Sequence, residues 1–144
     1  MKCLKEKIDR SGEFAHEVAM MRALKHQNIV LFMGVSEGPD GTLYVVQELV
    51  RGGSLRKVLS DATKTIDWET RLRWAQDITM ALSFMHSKQA LHRDLKAENV
   101  LLDNNRCKVA DFGISRLAAG PQRPMGNGTL LGVIWSFSGL FDKL

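Results

Sequence analysis

Asp94, Lys96, Asn99 and Asp111 fall within one short stretch, LHRDLKAENVLLDNNRCKVADFG, residues 91–113. Between Asn99 and Asp111 the residues read as a hairpin. VLLD (100–103) and CKVA (107–110) have strand character, and DNNR (103–106) is rich in residues that tolerate tight turns. If the strands pair antiparallel, Asn99 and Asp111 lie equally far from the turn centre and face each other across the hairpin mouth. Two oxygen-bearing side chains placed in this way suit a hard, oxygen-seeking cation such as Mg²⁺.

The elements that must position these groups can be read along the chain. SGEFAHEVAMMRALKH (11–26) places Phe14, Val18, Met21 and Leu24 on one helical face, with Ser11 as the capping residue. IVLFMGVSE and GTLYVVQELV are β-rich runs joined through GPDG and predict an antiparallel hairpin. GGSLRKVLSD predicts a glycine-rich bend at Gly52 and Gly53, then a short helix capped by Ser54. DWETRLRWAQDITMALSFMHSK predicts the longest helix, capped by Asp67, with Trp68, Leu72, Ala75, Leu82 and Met85 as its buried stripe. Tyr44, Trp74 and Cys107 read as structural residues. The order predicts an α+β protein, a small β-containing part followed by a mainly helical part, with the boundary at the two glycines.

Composition excludes several classes. With 144 residues, 44% of them hydrophobic and 25% charged, the chain has the make-up of a globular domain with a real core. The formal net charge of +4 is spread along the chain and interleaved with acids, so no nucleic-acid partner is expected. No apolar run reaches the ~20 residues of a membrane span, and the N-terminus has no charged-then-apolar signal segment, so no membrane insertion is expected. Cys3 and Cys107 lack any C-x-x-C partner, which argues against a disulfide framework or zinc site and for a reducing, cytoplasmic setting.

HRDLKAEN (92–99) followed by DFG (111–113) resembles the catalytic-loop and metal-loop pair of the eukaryotic protein kinases. Either tripeptide alone is weak evidence. The eight-residue string, set a hairpin away from DFG and preceded by a long amphipathic helix, is specific. EFAHEVAMMRALKHQNIVLFMG is similar to the family's C-helix and fourth strand, and LYVVQELVRGGSL to its fifth strand, hinge and D-helix. The lysine after HRDL resembles the serine/threonine kinases, and NIVLFMG the tyrosine-kinase-like branch that includes Raf-type and mixed-lineage kinases.

The resemblance implies a two-lobe kinase fold, incomplete, with residues 1–51 as part of the N-lobe and 52–129 as part of the C-lobe. It implies ATP and Mg²⁺ as cofactors and protein Ser/Thr hydroxyls as acceptors. Asp94 would accept or orient the hydroxyl proton, and Lys96 would meet the transferred phosphate. Asn99 and Asp111 would hold the metal. Lys2 would pair with Glu17 as the strand lysine and C-helix acid. Gln47 would be the gatekeeper, the backbone of Glu48 to Val50 would bond adenine, and Leu101 would lie beneath the ring. Met21, Phe32, His92 and Phe112 match the column that joins the lobes in active kinases. Arg93 resembles the arginine that pairs with a phosphorylated activation loop, where Ser115 and Thr129 are the hydroxyls; Thr129 is expected to contact Asp94 and Lys96.

The chain also departs from the family pattern. No G-x-G-x-x-G precedes Lys2, and after GNGT (126–129) the chain runs LLGVIWSFSGLFDKL, an apolar tail at 130–144 that matches nothing in the pattern. A truncated or mis-spliced version of a longer kinase is the expectation, with weak nucleotide binding and no transfer by the chain alone. Two function classes follow: a serine/threonine protein kinase, or a non-catalytic kinase fragment that acts as a binding module. A small-molecule phosphotransferase is disfavoured by the HRDLK and DFG pair.

Overall fold

Two helix starts are set by single side chains. The Ser54 hydroxyl accepts the Lys57 amide at 3.3 Å and opens α2, Leu55–Ser60. The Asp67 carboxylate accepts the Thr70 amide at 2.7 Å and its hydroxyl at 3.0 Å, and opens α3, Trp68–Ser87. Both caps satisfy amides that the first helical turn leaves without partners. A computed structural model describes residues 2–5, 12–92 and 94–111, without the side chains of residues 2–5, 12–14, 16 and 17. The expected Ser11 cap, the Lys2–Glu17 pair, Arg93, Phe112, Ser115, Thr129 and the 130–144 tail lie outside those residues.

The elements run β1 (Lys2–Lys5), α1 (Gly12–Ala23), β2 (Phe32–Glu37), β3 (Leu43–Gln47), α2, α3, a 3₁₀ turn (Ala97–Asn99), β4 (Val100–Asp103) and β5 (Arg106–Val109). The first sheet has the antiparallel order β1-β3-β2, and β4 pairs with β5 in a second. The architecture is α+β, the partial two-lobe arrangement expected from the sequence.

The core does not respect the glycine boundary. Met20, Leu24 and Ile29 from the first part enter the same apolar cluster as Trp74, Ile78, Met85, Val100 and Val109 from the second. A backbone seam runs beside it. Val30 donates to the Val109 carbonyl (2.9 Å), Val109 donates to the Asn28 carbonyl (2.8 Å), and the buried Asn28 amide donates to the Cys107 carbonyl (3.0 Å). Met21 and Phe32 form a smaller cluster with Val45.

The glycine bend is tied to the hairpin that follows it. Gly52 donates to the Leu102 carbonyl at 3.0 Å, and Leu102 donates to the Gly53 carbonyl at 2.9 Å. A Cβ on residue 52 would strike the Leu102 carbonyl oxygen, and Gly53 has φ +78°, so neither position accepts a larger residue easily.

Two expectations are corrected. Trp68 and Leu72 are 53% and 48% exposed, while Leu82 and Met85 are buried. The buried face of α3 is centred instead on Trp74, Asp77, Ile78, Ala81 and Met85, because the helix packs against β5 with that side. The hairpin register is also shifted. A two-residue turn, Asn104 and Asn105 with φ of 47° and 64°, pairs Val100 with Val109, so Asn99 stands opposite Ala110 and Asp111 lies one residue beyond.

Candidate active site

The loop that follows α3 carries the charged residues, and its own hydrogen bonds fix their spacing. Asp94 donates its amide to the His92 carbonyl at 2.8 Å, and Asn99 donates its amide to the Lys96 carbonyl at 2.9 Å. The Lys96 ammonium lies 2.7 Å from Asp94 Oδ2. Asn99 Nδ2 donates to the Asp94 carbonyl at 2.8 Å and to Asp94 Oδ2 at 3.1 Å. Both amide donations of Asn99 thus go to Asp94, leaving Asn99 Oδ1 without a partner among the described residues.

Ala110 donates to the Asn99 carbonyl at 2.8 Å, which continues the β4–β5 ladder to the hairpin mouth. The next residue, Asp111, takes φ 66°, a left-handed backbone that a side-chain-bearing residue adopts at some cost and that is concentrated at functional sites. Asp111 is exposed and lines the same cleft as Asn99, and its carboxylate has no hydrogen-bond partner among the described residues. An amide oxygen and a carboxylate opening onto one cleft are the hard donors that Mg²⁺ prefers, with the remaining positions left for phosphate and water. Among the described residues no cluster of three or more His, Cys, Asp or Glu could hold a metal by itself.

The cleft has a volume of about 290 Å³ and draws its walls from both parts of the chain. Gln47, Glu48 and Val50 form one side, and Asn99, Leu101 and Asp111 the other. The Glu48 amide is bonded to the Leu31 carbonyl at 3.0 Å, whereas the Glu48 carbonyl and the Val50 amide have no partner among the described residues. A planar heterocycle between Leu101 and this segment would find one acceptor and one donor on its edge.

The electrostatics keep Asp94 ionised and Lys96 charged near neutral pH. The Lys96 hydrogen bond, assisted by Lys96 charge and the Asn99 amide, holds the Asp94 carboxyl below the usual carboxylate value, against desolvation. The same contact raises the Lys96 ammonium. His92 is buried and lowered by desolvation, which outweighs the Ala110 carbonyl and the charges of Asp94 and Asp111. Its neutral ring donates through Nε2 to the Ala110 carbonyl at 2.9 Å and so joins the loop after α3 to the residue before Asp111.

Over residues 1–137 the chain matches the family of protein tyrosine and serine/threonine kinases. The chain belongs to the protein kinase family. It is 39% identical over 117 residues to LIM domain kinase 1 of Drosophila melanogaster, covering 81% of this chain and 9% of that protein. It is 42% identical over 116 residues to serine/threonine-protein kinase CTR1 of Arabidopsis thaliana, covering 77% of this chain and 14% of that protein. A probable serine/threonine-protein kinase of Dictyostelium discoideum, kinX, is 37% identical over 112 residues, 77% of this chain and 10% of that protein. The kinase chain therefore spans about a tenth of the length of these relatives.

The structure brings Asp94, Lys96, Asn99, Asp111, Glu48, Val50 and Leu101 around one loop and cleft. Two features around this cleft escaped sequence reasoning. Asp77, in the middle of α3, is 2% exposed in its side chain and accepts Arg106 Nε on both oxygens (3.0 and 2.9 Å), Arg106 Nη2 and the Cys107 amide (2.9 Å). With the Trp74 indole donating to the Asn105 carbonyl at 3.2 Å, this clamps the tip of the hairpin whose mouth carries Asn99 and Asp111. The second is Lys108, which grips Glu48 at 2.7 and 2.8 Å. An acid at an otherwise apolar helix position was the one visible signal for the first.

Proposed function

We propose that these residues belong to a serine/threonine protein kinase that transfers the γ-phosphate of ATP to protein hydroxyls, with residues 1–51 and 52–129 as parts of its two lobes. The observation that carries the reading is the Asp94–Lys96–Asn99 contact set opening onto a cleft shared with Asp111. Asp94, ionised and held by Lys96 and Asn99, accepts or orients the hydroxyl proton of the acceptor. Lys96, charged throughout the physiological range, meets the phosphate. Asn99 and Asp111 hold Mg²⁺, which neutralises charge on the phosphate oxygens when bound. Gln47, Glu48, Val50 and Leu101 bind the adenine end, and Lys2 with Glu17 serves the phosphate end. The serine/threonine assignment rests on Lys96 after HRDL and on the printed descriptions of the relatives. A cytoplasmic location agrees with the reduced, buried Cys107.

The test is phosphate transfer from labelled ATP to a generic basic protein mixture by the full-length protein that carries these residues. Transfer to serine and threonine that disappears in the Asp94→Asn variant supports the reading. Transfer that survives Asp94→Asn, or that goes to tyrosine, refutes it.

A further inference from the structure

Lys108 holds no position in the reading above, and its placement is specific. It lies on β5 directly opposite Leu101 of β4, so the two side chains share a face of the hairpin, and Leu101 floors the cleft. Its ammonium reaches 60 residues back along the chain to both carboxylate oxygens of Glu48, at 2.7 and 2.8 Å. Glu48 is thereby fixed at three points: by Lys108, by the Leu31 amide on Oε1 at 2.8 Å, and by its own amide on the Leu31 carbonyl at 3.0 Å. Both ends of the ion pair are largely covered, with side-chain exposures of 17% and 25%. Asp103, 3.7 Å from the ammonium, is the weaker second anion.

We infer that Lys108 is a positioning residue for nucleotide, bracing the 48–50 segment against the hairpin so that the Glu48 carbonyl and Val50 amide stand at a fixed height above Leu101. The geometry has this consequence because the brace ties Glu48, on the cleft wall, to the strand paired with Leu101, while Asn99 and Asp111 line the cleft at the hairpin mouth. A largely covered pair with both carboxylate oxygens engaged resists the opening motion that an exposed pair would not. Removing the ammonium takes away the Glu48 side chain's contact with the hairpin and frees the segment to shift, and small misplacements of positioning groups are costly in binding. The inference rests on the nucleotide reading of the cleft.

The experiment titrates the 144-residue chain with adenosine and, separately, with Mg·ATP, followed by nuclear magnetic resonance shifts so that weak binding is measurable. Lys108→Met weakens both ligands by the same factor, about tenfold, a change of ordinary size for a coupled contact pair. Lys108→Arg restores both to near the wild-type value. Glu48→Gln, which keeps an acceptor for the Leu31 amide, reproduces the loss while retaining the fold, as checked by thermal unfolding. Wild-type adenosine affinity in Lys108→Met overturns the inference alone. A loss confined to Mg·ATP also overturns it, since that is a charge effect on the phosphates. Absence of binding of either ligand by the wild-type chain overturns the nucleotide reading itself, and the brace with it.

Discussion

Cutting the Asp77–Arg106 clamp from its two ends should give unequal results. Four hydrogen bonds converge on the Asp77 carboxylate, three from Arg106 and one from the Cys107 amide. The carboxylate is 2% exposed, whereas the guanidinium side chain is 50% exposed. Arg106→Ala leaves a buried carboxylate with the Cys107 amide as its main remaining donor, and an uncompensated buried charge of this kind costs about 3 kcal/mol, the low end of the range because one donor is kept. Asp77→Ala lets the arginine turn into water and leaves the buried Cys107 amide unpaired, at about 2 kcal/mol. The base, although half in water, is thus the more damaging residue to remove. Urea unfolding of the two variants at pH 7 measures the order directly.

The pH dependence supplies an independent arm of the same test. Burial pushes the Asp77 carboxyl up, but the Arg106 and Cys107 hydrogen bonds and the Arg106 charge hold it below its ordinary value of 3.8. In the wild type that carboxylate stabilises the fold above the ordinary value, and the stability is lost as pH falls through the lowered folded value. Without Arg106, burial raises the carboxyl instead, so the penalty is present at neutral pH and relieved in acid. The gap between wild type and Arg106→Ala should close steadily between neutral pH and about pH 4. A pH-independent gap, or an Asp77→Ala variant less stable than Arg106→Ala, would refute the reasoning.

Gly52→Ala drives a methyl group into the Leu102 carbonyl and should destabilise the chain by about 2 kcal/mol in urea unfolding; a wild-type midpoint would show that the bend yields freely. The Cys107 thiol is buried and pushed up to about 12, chiefly by desolvation, so iodoacetamide at pH 8 should leave it unmodified in the native chain and label it in urea, as read by peptide mass mapping. Lys96→Met removes the main influence lowering Asp94, so the Asp94 carboxyl resonance should titrate at higher pH than in the wild type. An unchanged midpoint there would separate the two side chains electrostatically.

The sequence was most readable where local chemistry decides structure. Ser54 and Asp67 cap their helices because their oxygens reach amides three residues on, a contact that needs no tertiary information. The HRDLKAEN and DFG stretches pointed to Asp94, Lys96, Asn99 and Asp111 because their spacing in the chain is short, and the structure gathers these four at one loop and the hairpin mouth beside it. What could not be read was long-range. Trp68 and Leu72 look like core from helical period alone, but which face of α3 turns inward is decided by β5, whose Arg106 and Cys107 reach Asp77 across about 30 residues. The hairpin register depended on the left-handed Asn104–Asn105 pair, which two adjacent asparagines permit without dictating. The Lys108–Glu48 contact joins positions that are each unremarkable in their own neighbourhoods.

The seam between Asn28 and β5 sets an order of events during synthesis. The Asn28 side chain finds its acceptor on Cys107, 79 residues later in the chain. At ribosomal rates of ~5–20 residues per second, that separation is a wait of roughly 4–16 s, because the exit tunnel delays both segments alike. During this interval Met20, Leu24 and Ile29 have emerged without the α3 and hairpin residues that cover them. The first part of the nascent chain therefore carries exposed apolar surface until β5 is made. It is a natural client for holding chaperones, and slowing translation before residue 107 should lengthen that dependence.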